Sequence, residues 1–219
     1  MNEKNNSYAT VSIQALKRMP YYLQHLKKLE SDGVESISAP YIADILKLNE
    51  IQVRKDFAAI STTRGKPKSG FKIKELIFNM ENFLGYNNND DAVLIGVGSL
   101  GKALLSYNGF EHYGMNIVAA FDISKNIIGN EVGGKKVLHV EKTSEICRRL
   151  NIHIGIITVP EETAQIVCDQ LVAGGVSAIW NFAPVHLSAP ENILIQNENM
   201  AASLALLSKH LQQQTTVRI

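Results

Sequence analysis

A glycine-rich turn is the part of this sequence best suited to bind a ligand. Gly96-Val97-Gly98-Ser99-Leu100-Gly101 directly follows an apolar run that ends at Ile95. The first glycine permits a tight strand-to-helix turn, the second lets the backbone approach a pyrophosphate, and the third allows close packing of helix on strand. A helix that begins near Ser99 offers free backbone N–H groups and its positive dipole end to phosphates. The turn therefore predicts a phosphate-binding loop.

An acidic residue at a suitable distance completes the pattern. Asp122 ends the next apolar run, about 20 residues after the glycines, where a ribose-binding carboxylate is expected. It can accept both ribose hydroxyls and would repel a 2′-phosphate, so the site favours NAD(H) over NADP(H). A glycine pattern alone is also typical of turns in other α/β proteins. Strand, glycines, helix and acid together indicate a site for a dinucleotide or another adenosine ligand.

The residues around this turn alternate between predicted strands and predicted helices. Strands are predicted at 92–95, 116–121, 137–140, 154–159 and 178–182, and helices at 99–107, 143–150 and 161–173. This alternation indicates a parallel, doubly wound sheet covered on both faces, with ligands at the carboxyl ends of its strands. Besides residues 96–101, the candidates there are Asp122, Ile123, Thr158, Val159, Pro160, Asn181, Phe182, Ala183 and Pro184.

Basic residues are concentrated in the N-terminal part of the chain. The net charge is only +1, but residues 1–86 hold 13 Lys and Arg against 9 Asp and Glu, and residues 87–219 hold 9 against 12. Within residues 47–74 there are 8 basic and 2 acidic side chains. Such a concentration predicts an anionic macromolecular partner.

The same basic region has the pattern of two short helices joined by a tight turn. Ser38 stands where a helix N-cap belongs, and the second helix is predicted over 50–60. The apolar faces are Ile42, Ile45 and Leu46 in the first helix, and Val53, Phe57 and Ile60 in the second. A preceding helix has its apolar residues at Leu16, Met19, Leu23, Leu26 and Leu29, with Pro20 expected in its first turn and Gly33 at its end. The region is predicted to be a helix-turn-helix followed by a basic wing.

The outward face of the second helix has the composition of a DNA-reading surface. It carries Ile51, Gln52, Lys55, Ala58 and Ala59, with Arg54 on its flank. Gln52 can pair with an adenine edge, and Arg54 and Lys55 can reach phosphates or guanine. A solvated face that contacts nothing is the alternative, but the adjacent basic, glycine-bounded loop favours DNA. The DNA-binding candidates are Ser38, Gln52, Arg54, Lys55, Arg64, Lys66 and Lys68.

Five segments of the chain together resemble a known family. They are Gln52-Val53-Arg54-Lys55-Asp56, the glycine turn at 96–101, Tyr107-Asn108-Gly109-Phe110, Thr158-Val159-Pro160, and Asn181-Phe182-Ala183-Pro184. In this order and spacing they resemble the Rex redox-sensing transcriptional repressors of bacteria, over nearly the whole chain.

The resemblance implies an α/β fold with an N-terminal winged helix-turn-helix domain and a C-terminal Rossmann domain. It implies a homodimer in which the final helix is swapped and packs between the partner's two domains. The repressor would bind an AT-rich inverted repeat in operator DNA when NAD⁺ dominates or the site is empty, and leave it when NADH binds. The nicotinamide is expected near the dimer axis, close to Tyr107 and Phe182.

The polar stretch at 85–91 predicts a boundary between two domains, and the resemblance implies a third part, the swapped final helix. The three parts are a winged-helix DNA-binding domain over 1–86, a Rossmann NAD(H)-binding domain over 87–198, and a dimerisation helix over 199–219. The apolar face of that last helix consists of Met200, Leu204, Leu207 and Leu211.

Two departures from the family pattern stand out. Members usually carry a Phe-Gly pair after the recognition helix and a wing that ends in Gly-Tyr, whereas this chain has Ala58-Ala59-Ile60-Ser61-Thr62-Thr63 and ends its wing in Gly70-Phe71. Gln24 aligns with a basic residue that takes part in a redox-dependent ion pair in some members. The wing contacts and that ion pair are the features on which this chain differs.

Enzyme functions are the alternative that the sequence argues against. A dehydrogenase would need a substrate domain and an acid–base group over the nicotinamide, yet only about 35 residues follow Pro184. The CoA-binding part of an acyl-CoA ligase would need a further phosphohistidine domain. The six histidines are scattered, and Cys147 and Cys168 form no CxxC pair. We therefore expect no catalytic residue, no disulfide and no metal. With no signal peptide and no apolar run of membrane-spanning length, we expect a cytoplasmic protein.

Overall fold

The computed structural model describes residues 11–61, 70–88 and 90–216. The chain divides into two compact units, residues 1–87 and 88–219. Each unit has its own hydrophobic core, and the second has one on each face of its sheet. Within the described ranges, we find no helix with both the length and the apolarity needed to cross a membrane.

Over residues 11–61 and 70–87, the first unit consists of four helices and a very short antiparallel sheet. Its elements are α1 (Ile13–Ser31), β1 (Ser36–Ile37), α2 (Ala39–Leu46), α3 (Glu50–Ile60), β2 (Phe71–Lys72) and α4 (Ile73–Leu84). Strand β1 pairs with β2, with Ile37 opposite Phe71. Helices α2 and α3 follow each other through a short turn and pack together, so the predicted helix-turn-helix is present.

Aromatic packing fixes α3 within this unit. Phe57 of α3 is fully buried, and its ring meets Tyr22 of α1 edge-on at 5.4 Å and Phe71 of β2 edge-on at 5.2 Å between centroids. Val53 and Ile60 are also buried, as the predicted inward stripe requires. The outward face of α3 is therefore set by contacts with both α1 and β2.

Details of the helical pattern differ from the prediction. Pro20 lies in the interior of α1, because the helix begins earlier, where the Ser12 hydroxyl accepts the Ala15 N–H at 3.2 Å. The expected position of Pro20 in the first turn is therefore wrong. Leu16 and Ile45 are 37% and 40% exposed and do not face the core. Helix α4 was not predicted, although its buried residues Ile73, Leu76, Ile77 and Met80 have clear helical spacing.

The second unit is a seven-stranded sheet flanked by helices. Its elements are β3 (Asp90–Ile95), α5 (Ser99–Leu105), β4 (Met115–Asp122), β5 (Glu131–Val132), β6 (Lys135–His139), α6 (Thr143–Leu150), β7 (Ile154–Ile157), α7 (Glu161–Ala173), β8 (Ala178–Asn181), β9 (Leu194–Asn197) and α8 (Met200–Thr216). Short 3₁₀ helices occupy Asn108–Tyr113 and Val140–Lys142.

The sheet has the strand order of a Rossmann fold, as predicted. Its order is β5-β6-β4-β3-β7-β8-β9, and all pairs except β5 with β6 are parallel. The six parallel strands, counted along the chain, lie in the order 3-2-1-4-5-6. The order reverses between β3 and β7, and a crevice at their carboxyl ends is where such folds bind ligands.

Several strand ends and two whole strands differ from the prediction. Strands β7 and β8 end at Ile157 and Asn181, and α5 ends at Leu105, so the predicted elements were too long at these ends. Strand β9 was missed, because it is a short edge strand with mostly exposed side chains, and the apolar run at its start, Ile193-Leu194-Ile195, is only three residues long. The antiparallel strand β5 was missed because it is only two residues long.

Candidate cofactor site and candidate nucleic-acid interface

The three glycines of the turn have three different surroundings. Gly96 has a φ of +99°, and a Cβ there would lie 2.8 Å from the carbonyl carbon of Thr158. A Cβ on Gly101 would lie 2.0 Å from the carbonyl oxygen of Gly96. By contrast, a Cβ on Gly98 would meet nothing within 4 Å. Gly96 and Gly101 are thus required by the protein itself, whereas the space at Gly98 is open to a ligand.

The glycine turn leads directly into α5. Gly98 is the N-cap residue of this helix and has no side chain with which to cap it. The first turn of α5 carries no acidic residue. No side chain therefore caps the first backbone N–H groups of α5, which leaves them available to a phosphate.

Asp122 ties the end of β4 to the glycine turn. One carboxylate oxygen accepts the Val97 N–H at 2.6 Å, and the other accepts the Ser124 N–H at 2.8 Å. A carboxylate oxygen can accept more than one hydrogen bond, so both oxygens retain capacity for ribose hydroxyls. The sequence predicted a ligand-binding acid here but not its bond to the turn.

A cavity of about 510 Å³ opens at the carboxyl ends of β3, β4 and β7. Its volume is in the range of small-molecule sites. The predicted residues that line it are Gly96, Gly98, Asp122, Ile123, Thr158, Val159 and Pro160. Ile123 and Ile166 flank it and are 70% and 60% exposed. These two exposed isoleucines give the cavity an apolar surface suited to a flat ring.

Other residues of this cavity were not predicted from the sequence. They are Ile95 at the end of β3, Val140 after β6, and Thr163, Ile166, Val167 and Gln170 on α7. The Oε1 atom of Gln170 is buried and has no hydrogen-bond partner among the described residues. A buried oxygen without a hydrogen bond is costly, because it has lost its contact with water. The helical spacing of Thr163, Ile166 and Gln170 on α7 is the signal that could have identified this wall.

Four aromatic side chains form a row, and three of them, Phe110, Trp180 and Phe182, pack against one of the two cores of the sheet. Tyr107, Phe110, Trp180 and Phe182 follow one another with ring centroids 4.9, 5.8 and 4.7 Å apart. Tyr107 at the end of the row is 51% exposed, and a Cβ on Gly109 would lie 2.3 Å from its ring. The residues predicted for the nicotinamide end, Tyr107 and Phe182, thus belong to one packed aromatic group.

Asn181 is predicted to contact the cofactor, but its side chain is turned into the protein. It is fully buried, and its Nδ2 donates to the Val185 carbonyl at 2.9 Å and to Asn197 Oδ1 at 2.8 Å. Its Oδ1 accepts the Ala183 N–H at 3.0 Å. The side chain therefore shapes the turn over 181–185 and fastens β9 to β8.

Both cysteines are buried and free. Burial raises the pKa of the Cys147 thiol to about 11 and raises that of Cys168 as well. Since the thiolate is the reactive form, these thiols are poor candidates for redox chemistry near neutral pH. In the described part of the chain, no three His, Cys, Asp or Glu side chains come together as metal ligands.

Helix α3 presents most of its predicted outward face to solvent. Ile51, Gln52, Arg54, Lys55 and Ala58 are exposed, whereas Ala59 is half-buried. The helix begins at an Asn49 N-cap, whose side chain accepts the N–H groups of Ile51 and Gln52. The Arg54 guanidinium pairs with Glu50 one turn earlier. This surface pair is weak, so Arg54 remains available to another anion.

The remaining DNA-binding candidates fall in two places. Ser38 is exposed at the N-cap of α2, where its hydroxyl accepts the Tyr41 N–H at 3.4 Å. Arg64, Lys66 and Lys68 lie outside the described residues.

A charged group between α1 and α3 was missed from the sequence. The Arg18 guanidinium donates to both carboxylate oxygens of Asp56, from Nε at 2.9 Å and from Nη2 at 3.0 Å. The Tyr22 hydroxyl donates to the same carboxylate at 2.8 Å. Burial and this hydrogen bond raise the pKa of Tyr22 to about 12. No local spacing signals a pair that is 38 residues apart.

Two family models match the chain. The family "Putative DNA-binding protein N-terminus" matches residues 10–58, which include α2 and most of α3. The family "CoA binding domain" matches residues 87–185, which include the glycine turn.

Curated relatives decide the family. The chain is 36% identical to the redox-sensing transcriptional repressor Rex of Porphyromonas gingivalis, over 96% of each chain. It is 40% identical to the Rex repressor of Treponema denticola, over 88% of this chain and 91% of the relative. The chain belongs to the Rex family. Rex relatives are transcriptional repressors, so the prediction that this chain is not an enzyme is confirmed.

Solved Rex-family structures have the same fold. RSP in complex with beta-NAD+ and operator DNA matches with a TM-score of 0.88 and 30% identity, over 95% of both chains. RSP in complex with beta-NADH matches with a TM-score of 0.83, over 95% of this chain and 98% of RSP. The predicted fold class is confirmed by these matches.

Proposed function

We propose that this chain is a Rex repressor that binds operator DNA as a homodimer and leaves it when NADH binds. It thereby responds to the NADH/NAD⁺ ratio. The observation that carries the proposal is that one chain holds both an open ligand cradle over Gly98 and an α3 whose polar face is exposed. The Rex relatives and the RSP complexes with NAD+, NADH and operator DNA support it.

The cavity residues fit a dinucleotide. The space over Gly98 and the N-terminus of α5 would accommodate the pyrophosphate. Asp122 would accept the ribose hydroxyls. The apolar side chains of Ile123 and Ile166, which line the cavity, would contact the adenine ring.

The rest of the dinucleotide would extend toward the aromatic row. Tyr107 and Phe182 would then meet the nicotinamide, and the turn at 181–184 would border it. In this role the dinucleotide is a regulatory ligand, so the protein supplies binding and orientation and no reaction.

The DNA surface would consist of α3, the N-terminus of α2 and the wing. Gln52, Arg54 and Lys55 would lie in the major groove, Ser38 would face a phosphate, and the wing residues Arg64, Lys66 and Lys68 would contact the backbone or minor groove. An AT-rich inverted repeat is the proposed operator, because a symmetric dimer reads two related half-sites. Such a target places the protein in the cytoplasm.

Helix α8 is the proposed dimerisation element. Leu204, Leu206, Leu207 and Leu211 are 61–65% exposed on it. Large apolar side chains exposed in this number on one helix are typical of an interface. We propose a division into a DNA-binding domain over 1–86, an NAD(H)-binding domain over 87–198 and a swapped helix over 199–219. A modest rotation between subunits would then move one α3 out of register with its half-site.

A gel shift on DNA from the protein's own promoter region tests this function. The protein is titrated separately with NADH, NAD⁺, NADPH and CoA. We expect NADH to release the DNA at the lowest concentration, because Asp122 repels the 2′-phosphate of NADPH. CoA is included because of the family match over 87–185. Release by CoA and not by NADH would contradict the proposal.

A further inference from the structure

Arg18 contacts two residues of α3 and not only Asp56. Its Nε and Nη2 atoms bind the Asp56 carboxylate, which is only 6% exposed. The side chain of Gln52, one turn earlier on α3, lies against the other edge of the same guanidinium. Arg18 therefore links the buried side of α3 to a residue on its exposed face.

Only one orientation of the Gln52 amide fits this neighbour. With Oε1 toward the guanidinium, it accepts from Nη1 at 3.1 Å and from Nη2 at 3.0 Å. The opposite orientation would place the amide NH₂ against a group that can only donate. The position of the guanidinium is itself fixed by its paired hydrogen bonds to Asp56, so it cannot turn away without breaking a buried ion pair.

This contact changes what Gln52 can offer to DNA. An amide oxygen has two lone pairs, and Arg18 donates two hydrogen bonds to it. The Nε2 group, which is left on the outer side, can only donate. We infer that Gln52 reads the major groove solely as a hydrogen-bond donor, because Arg18 occupies its carbonyl oxygen.

The inference rests on the proposed placement of α3 in the major groove, and it revises the expected pairing of Gln52 with adenine. That pairing is bidentate and needs the amide oxygen to accept from the adenine N6 amino group. A donor alone selects bases with major-groove acceptors, which are guanine N7 and O6, adenine N7 and thymine O4. Cytosine presents an N4 donor there and is disfavoured.

The test measures binding of the full-length dimer to operator variants that carry each base at each half-site position. Gln52→Ala is compared with wild type to find the position that Gln52 reads, and Lys55→Ala serves as the control for groove placement. At that position we expect wild type to prefer guanine, adenine or thymine over cytosine by about fivefold, which is about 1 kcal/mol. If adenine is preferred, 7-deaza-adenine should weaken binding about fivefold. An operator with unsubstituted purine, which lacks the N6 amino group, should bind as tightly as the operator with adenine.

Gln52→Glu provides a second, opposite readout. Its carboxylate would pair with Arg18 and leave an oxygen facing the groove, so the preference should change toward cytosine. A wild-type preference for cytosine would overturn the inference. So would an equal loss on removing adenine N6 and adenine N7. If Lys55→Ala alters base preference but Gln52→Ala does not, the inference fails while the proposed DNA surface stands. If neither does, both fail.

Discussion

The hydroxyl of Thr158 donates to the carbonyl oxygen of Gly96 at 2.6 Å, and thereby ties the end of β7 to the first glycine of the turn. From the other side, the Gly96 N–H donates to the Phe121 carbonyl of β4 at 2.8 Å. The first glycine is thus held by both neighbouring strands. This arrangement gives the turn its shape before any ligand binds, which lowers the ordering cost of binding.

Replacing Thr158 with Val should loosen the turn, because the methyl cannot donate to the Gly96 carbonyl. We expect NADH affinity to fall about 5- to 30-fold, equivalent to about 1–2 kcal/mol for a lost buried hydrogen bond. Fluorescence titration with NADH measures this. Thr158→Ser keeps the hydroxyl and serves as the control. Equal affinity in the Val and Ser variants would show that the bond does not shape the site.

Gly98→Val separates ligand binding from folding. A Cβ there meets nothing within 4 Å. The free energy of unfolding should therefore fall by only about 1 kcal/mol, because Val is a poorer N-cap residue than Gly. The side chain would fill the space proposed for the pyrophosphate, so DNA binding should persist and NADH release should be lost. Gly101→Ala is the contrasting variant, since its methyl would lie 2.0 Å from the Gly96 oxygen and destabilise the fold. Thermal unfolding and gel shifts of both variants check this. Release of Gly98→Val by NADH at the wild-type concentration would mean the site is misplaced.

Tyr22 should make stability depend on alkaline pH. Its pKa is raised from 10.0 to about 12, so the folded state favours the protonated hydroxyl that donates to Asp56. The stabilisation is complete below pH 10 and lost as pH rises through 12, and amounts to about 2–3 kcal/mol. Urea unfolding followed by circular dichroism between pH 9 and 12 measures it. In Tyr22→Phe this pH-dependent part of the free energy of unfolding should be missing. The same dependence on pH in both proteins would refute the role of Tyr22.

Deleting residues 199–219 tests the proposed role of α8. The truncated protein should be monomeric, or a dimer whose weak DNA binding no longer responds to NADH, because the exposed leucines of α8 are removed. Light scattering after size exclusion gives the oligomeric state, and gel shifts give the response. The double substitution Leu204→Ala and Leu207→Ala leaves the chain at full length and should weaken dimerisation and the NADH response in the same direction. A truncated protein that stays dimeric and fully responsive would exclude the swapped helix.

Helices α6 and α7 could be predicted to the residue from the sequence. Helix α6 ends before Asn151, which adopts a left-handed conformation with a φ of +54°, and α7 lies between Pro160 and Gly174. Such local end signals are readable without a structure. Helix α1 shows the limit, since Pro20 looked like a start signal but the Ser12 cap determined the helix start.

The candidate site was predictable where its residues follow one another in the chain. The glycine turn is continuous, and Asp122 ends the next apolar strand. The Thr158–Gly96 hydrogen bond joins residues 62 positions apart, and the Gln170 wall depends on how α7 packs. Likewise, the orientation of the Gln52 amide depends on Arg18 in another helix. These features come from tertiary packing, which no local pattern encodes.

The most direct test of the central claim holds the total nucleotide concentration constant and varies the fraction of NADH. Fluorescence anisotropy of labelled operator DNA reports the bound fraction for wild type and for Gly98→Val. A ligand moves a two-state equilibrium only through its differential affinity for the two states. We therefore predict that wild-type occupancy falls steadily as NADH replaces NAD⁺, while Gly98→Val remains bound throughout. Occupancy that depends only on the nucleotide total, or that falls equally in Gly98→Val, would contradict ratio sensing through this site.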